Sequence, residues 1–135
     1  MTISITAHKK IADFQEELSA LFPALKVEFF TSPYEVGKTL GSETMIFNRT
    51  KQMVEIAQKE IFGKSKSDFD VTPEMTVRAF EQKLWKQYAL CVKVFRNESG
   101  SFVETSSTDT WSLAEQNTKG NRVPNAVPMS APINV

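Results

Sequence analysis

The chain of 135 residues holds a single cysteine, Cys91, and a single histidine, His8, and these two scarcities remove most catalytic chemistry at the outset. One cysteine closes no intramolecular disulfide and supplies no cysteine-based zinc site. Any serine–histidine–acid arrangement would have to use His8. Charge of one sign is also missing, because sixteen basic residues balance sixteen acidic ones. No long-range field then draws nucleic acid, an anionic membrane or acidic substrates. No apolar run approaches the roughly 18 residues of a membrane helix. Residues 1–6 are too short and polar for the apolar region of a signal peptide. The expectation is a cytoplasmic protein with no nucleic-acid or membrane partner and no cofactor, in which the sequons at Asn48 and Asn97 carry no weight.

What the chain does have is an internal repeat. Adding 66 carries Ile3, Ile5, Thr6, Ile11, Phe14, Leu18 and Phe22 onto Phe69, Val71, Thr72, Val77, Phe80, Leu84 and Tyr88. An offset of 65 then carries Leu25, Val27 and Phe29 onto Leu90, Val92 and Val94, the slip falling at Pro23. The matched positions are apolar or helix-start threonines, so the repeated object is a core rather than a reaction centre.

Each unit reads strand, helix, strand. Ile3 and Ile5 alternate about Ser4, as Phe69 and Val71 do about Asp70, which is the period of two of a half-buried strand. Thr72-Pro73-Glu74 carries the signs of a helix start, with Thr6 in the equivalent place. Ile11, Phe14, Leu18 and Phe22, then Val77, Phe80, Leu84 and Tyr88, recur at helical spacing. Leu25–Phe30 and Leu90–Phe95 alternate again. The second enters a hairpin around Asn97-Glu98-Ser99-Gly100 and returns through Phe102–Thr105, and a register placing Phe95 opposite Phe102 and Lys93 opposite Glu104 is self-consistent. A helix from about Thr50 to Phe62 is predicted between the units, with Met45-Ile46-Phe47 either extending it or forming a strand equivalent to Phe102–Thr105. Another helix is predicted from Thr110 to Asn117. Residues 1–62 then make the first repeat with a linking helix and 67–118 the second, together one compact domain. Residues 119–135 read as a disordered or loosely docked tail.

The chemical motifs are thin. Val36-Gly37-Lys38-Thr39 resembles the end of a phosphate-binding loop, but Ser32 stands where that loop needs its first glycine. Cys91 lies on a strand with no histidine to activate it. His8, read in the first turn of a helix, has no partner at metal-ligand spacing. Asp68 and Asp70 share a strand face but lack the third acid and kinked loop of an oxygen-ligand metal site. No catalytic, cofactor or metal residue is assigned. The aromatic residues say more: Phe30, Phe95 and Phe102 fall on the strand face away from the apolar stripes, and if helices cover only one face they form a contact surface.

The stretch Thr76-Val77, Phe80-Glu81, then Val92-Lys93-Val94-Phe95-Arg96, then Thr108-Asp109, Trp111, Leu113-Ala114-Glu115-Gln116-Asn117 resembles a group of uncharacterised bacterial proteins over about a third of the chain. The resemblance implies similar helix–strand–hairpin units and brings no activity with it. Its polar members, Arg96, Glu115, Gln116 and Asn117, either form a recognition surface or tie down a short helix.

The sequence thus predicts an α+β fold of duplicated β-α-β units with pseudo-twofold symmetry and helices packed on small sheets. A ferredoxin-like arrangement with parallel repeated strands is one form of it, and a hairpin-rich form with two separate sheets is the alternative. The expected function is a non-enzymatic interaction module, self-associating or binding another protein, with Phe30, Phe95 and Phe102 at the contact. The alternative is a small enzyme or ligand-binding protein with a pocket between the halves near Tyr34, Asp68, Asp70, Arg96 and Trp111.

Overall fold

A strand with one apolar face must find a partner that shares its core, and here each repeated strand pairs antiparallel with its own counterpart. The computed structural model describes residues 1–63 and 67–121. Its elements are β1 (Thr2–Ser4), α1 (Ile11–Leu21), β2 (Leu25–Phe30), α2 (Met53–Ile56), β3 (Asp68–Asp70), α3 (Val77–Tyr88), β4 (Cys91–Glu98), β5 (Ser101–Glu104), a 3-10 turn at Ser106–Thr108 and α4 (Leu113–Asn121). β1 and β3 make one small sheet, and β2, β4 and β5 make another in that order. The fold is α+β. The two strands of each unit enter different sheets, so the arrangement is the one with separate sheets, and the parallel crossover does not form.

The registers centre on equivalent residues. Ile3 faces Phe69, and Glu28 faces Lys93, positions separated by 66 and 65 residues. The correspondence continues past the segments matched in sequence. Ile46 donates its N–H to Phe29 O (2.8 Å) as Thr105 does to Val94 O (3.1 Å), and Met45 bridges Phe30 where Glu104 pairs with Phe95. Lys10 bridges Gln52 as Thr76 bridges Ser112. α2 and α4 also start alike, with Glu55 accepting from Gln52 N and Glu115 from Ser112 N, both at 2.9 Å.

Those bridges move the helix starts. Residues 73–76 lend the carbonyls of Pro73 and Met75 to the first N–H groups of α4. α3 therefore begins four residues later than Thr72 suggests, with Thr76 accepting from Ala79 N at 3.0 Å. Thr72 closes a turn instead, accepting from Met75 N. His8 correspondingly lies in the turn before α1. The helix predicted over Thr50–Phe62 is only Met53–Ile56: before it, the N–H groups of Ile11 and Ala12 take the carbonyls of Lys51 and Arg49, and after it Ala57 is extended and Gln58 N donates to Ala89 O.

The hairpin register differs by two residues from the expectation. Phe95 faces Glu104 and Asn97 faces Phe102. Ser99 (φ 54°) and Gly100 (φ 91°) form a two-residue turn with positive φ at both places, which matches the twist of the flanking strands.

One core takes Ile3 and Phe69 from the small sheet, Val27, Phe29, Val92 and Val94 from the larger, and Phe14, Leu18, Phe80 and Leu84 from α1 and α3. No helix among the described residues is long and apolar enough to cross a membrane. Of the predicted tail, residues 119–121 belong to α4 and the rest lies outside the described residues.

α4 docks through Gly120. A Cβ there would lie 2.7 Å from Ala24 Cβ and 3.1 Å from Arg96 Cγ. Gly120→Ala is therefore expected to lower stability by about 1–2 kcal/mol in urea unfolding, despite alanine's better helix propensity. An unchanged or raised midpoint would contradict this docking.

Candidate functional site

Strand alternation sends Leu25, Val27, Phe29, Val92 and Val94 into the core and sends Lys26, Glu28, Phe30, Cys91, Lys93, Phe95, Phe102 and Glu104 to the other face of the larger sheet. The segment 31–45 lies over one end of that face. It brings Tyr34, Leu40 and Met45 against Phe30, Cys91 and Phe95, with Trp85 alongside. Glu104 fixes the segment by accepting from Leu40 N and Gly41 N at 3.1 and 3.3 Å. Phe30 and Phe95 are consequently buried, and of the three phenylalanines expected to look outward only Phe102, 39% exposed, does so. The segment holding Val36–Thr39 is part of this cover.

Beneath it lies a buried polar group. Glu81, on α3, falls within that helix's apolar stripe and reaches the edge of β4, where Oε2 accepts from Val94 N at 2.9 Å. Oε1 accepts from Tyr34 OH at 3.1 Å and lies 3.7 Å from Lys93 Nζ. The ammonium also lies 4.8 Å from the Tyr34 ring centroid and donates to Glu35 O. Burial pushes the Glu81 carboxyl up to about 7, against the opposing pull of Lys93 and the Val94 N–H. Burial and the neighbouring Glu81 push the Tyr34 phenol up as well. Asp109, 2% exposed, is held by Arg78 through two hydrogen bonds of 2.8 and 3.2 Å.

The same environment makes Cys91 inert. Burial raises its thiol to about 11, so it is protonated at neutral pH. His8 is on the surface, its Nδ1 2.9 Å from Gln52 Oε1. Among the described residues no three His, Cys, Asp or Glu side chains are grouped to hold a metal ion.

The other end of the sheet face is open. Gln15 of α1 donates to Val27 O (2.8 Å) and Glu28 Oε1 (3.2 Å), and its own oxygen accepts from Arg49 Nε (2.6 Å). Lys26 pairs with Glu28 at 3.1 Å and lies 4.7 Å from the Phe102 ring centroid. Together these groups bound a cavity of about 330 Å³.

The five residues proposed to line a pocket between the halves are divided. Tyr34 is in the buried polar group. Asp68 and Asp70 are exposed on β3, where Asp70 accepts from Thr2 Oγ1 at 2.9 Å. Arg96 and Trp111 do meet, the guanidinium carbon 5.8 Å from the ring centroid. Arg96 also donates to Gln116 Oε1 at 2.7 Å and pairs with Glu98. Gln116 in turn donates to Thr108 O and Oγ1, and Asn117 accepts from Ala24 N, each at 2.8 Å. The polar residues Arg96, Gln116 and Asn117 thus fasten α4, while Glu115 caps its start by accepting from Ser112 N.

β5 is one of the two edge strands of its sheet, and its adjacent Phe102 and Val103 are 39% and 38% exposed. Edge strands usually carry lysine, proline or a bulge, and Ser101–Glu104 has none of these. No protein-family model matches this chain, and no curated protein or solved structure matches it either.

Proposed function

We propose that the protein is a non-enzymatic interaction module whose partner is a second copy of itself, joined along β5. The observation that carries this reading is the pair Phe102 and Val103, neighbours on an edge strand and both more than a third exposed. Antiparallel pairing of β5 with its own copy about a twofold axis places Val103 opposite the copy's Val103 and Phe102 opposite the copy's Glu104, so each side chain meets one on its own sheet face. Main-chain hydrogen bonds provide the affinity and the two apolar side chains the register. The same reading takes the halves as copies of one unit and the setting as cytoplasmic.

Light scattering after size exclusion tests it. A dimer is expected at concentrations of about 100 μM, and Val103→Lys is expected to weaken association at least about tenfold by placing a charge at the new strand pair. A monomer at every concentration would refute the reading.

A further inference from the structure

The two halves build equivalent cradles on one sheet face, and the described chain fills only one of them. In the second half the cradle consists of Glu81 on α3, Lys93 on β4 and Asp109 before α4, and Tyr34 occupies it. The counterparts are Gln15 on α1, Glu28 on β2 and Arg49 before α2. Gln15 precedes Glu81 by 66 residues and Glu28 precedes Lys93 by 65. Arg49 O accepts from Ala12 N at 3.0 Å just as Asp109 O accepts from Arg78 N at 2.7 Å. After β2 the long segment 31–45 crosses the sheet to bring in Tyr34. After β4 the chain turns back at once through Ser99 and Gly100, so no described segment covers the first-half cradle, and the cavity of about 330 Å³ remains.

The groups left without a protein partner among the described residues define what it takes. Both ends of the Gln15 amide are engaged, and the two oxygens of Glu28 face Gln15 and Lys26. Arg49 uses only Nε, so its terminal amino groups have no hydrogen-bond partner among the described residues. The second-half cradle offers the carboxylate of Glu81, which accepts from a phenol. The first-half cradle instead offers a guanidinium, which requires an acceptor and fits a carboxylate in two-pronged geometry. Phe102 supplies an apolar wall. The lining holds two cations, Lys26 and Arg49, and two carboxylates, Glu16 and Glu28, a balance that suits a monoanion better than a phosphate dianion.

We propose that this cavity binds a small aromatic monocarboxylate, with its carboxylate on Arg49 and its ring against Phe102, in the place Tyr34 takes in the other half. The proposal does not depend on self-association.

An NMR titration of the full chain with phenylacetate, L-phenylalanine and benzylamine tests it. Saturable shifts are expected at the Gln15 side-chain amide, Arg49 Nε–H and the Phe102 amide, with a Kd of about 1 mM or tighter for a carboxylate of this size. Binding is expected to weaken at least about tenfold in Arg49→Lys, which keeps the charge but loses the two-pronged geometry. Arg49 is exposed, and the variant's own spectrum verifies that it folds. Tighter binding of L-phenylalanine identifies an amino acid as ligand, its ammonium facing Glu16; tighter binding of phenylacetate identifies a simple acid. Absence of shifts at these groups with both carboxylates up to about 10 mM would overturn the proposal. Benzylamine binding as tightly as the acids, or Arg49→Lys binding unchanged, would also overturn it.

Discussion

Truncating Phe14 to alanine is expected to destabilise the protein by about 3–5 kcal/mol, a large share of the roughly 5–15 kcal/mol that holds a domain of this size. Phe14 has no exposed surface and stands where the two halves meet. Its ring centroid is 5.6 Å from that of Phe29 in an edge-on contact and 6.5 Å from that of Phe80, its counterpart on α3. Phe80 continues to Phe69 at 5.7 Å, and Phe69 to Tyr88 at 6.2 Å. The rings therefore run from β2 through both long helices to the small sheet. Removing Phe14 opens a cavity that neither sheet can close without shifting the other. Phe47→Ala provides the control, because Phe47 is 71% exposed and its loss is expected to stay within about 0.5 kcal/mol. Urea unfolding measures both. A cost below about 1.5 kcal/mol for Phe14→Ala would show that the halves pack independently.

The residues of this core were legible because periodicity reports burial directly. Phe14, Leu18, Phe80 and Leu84 announce themselves every three or four positions, and Val27, Phe29, Val92 and Val94 every two. Strand partners were not legible in the same way. Three-residue strands such as β1 and β3 place Ile3 opposite Phe69 in a parallel or an antiparallel pair alike, and only the outer pairs Thr2–Asp70 and Ser4–Asp68 distinguish the two. The return of each unit onto the start of its first helix has no such signal, for a related reason. Arg49–Glu55 and Asp109–Glu115 share few residue types, and what they share is a pattern of main-chain hydrogen bonds together with a glutamate three residues after the cap.

The site was legible in one respect that the sequence reading did not use. Gln15 and Glu81 both fall inside an apolar helical stripe, four residues after Ile11 and Val77, and Lys93 interrupts an otherwise apolar strand. A polar group at a position whose neighbours are all buried must find a partner, and the three together predict a buried polar contact on this sheet. The cover over Phe30 and Phe95 left no such trace. Residues 31–45 have no periodicity, and what holds them is a set of main-chain groups meeting Glu104, Lys93 and Gln58.

At pH 9, Lys93→Met is expected to cost up to about 3 kcal/mol, and at pH 6 almost nothing. The Glu81 carboxyl sits near 7 in the folded protein, against an ordinary value of 4.5. Because the folded value is the higher one, Glu81 favours the folded state most below pH 4.5, and this contribution declines as the pH rises to about 7 and is level above it. Removing the ammonium 3.7 Å away raises the carboxyl further, so in Lys93→Met the decline continues past pH 7 at about 1.4 kcal/mol per unit. The two units between pH 7 and pH 9 set the ceiling on that cost. Adding Glu81→Gln is expected to remove it, since an amide oxygen still accepts from Val94 N and carries no charge to stabilise. Gln15 is the precedent, an amide at the equivalent place in the other half. Urea unfolding of the wild type, the single variant and the double variant between pH 6 and 9 separates the outcomes. Equal losses for Lys93→Met at both pH values, or a double variant no better than the single at pH 9, would mean that Lys93 contributes through packing against Tyr34 rather than through the charge of Glu81.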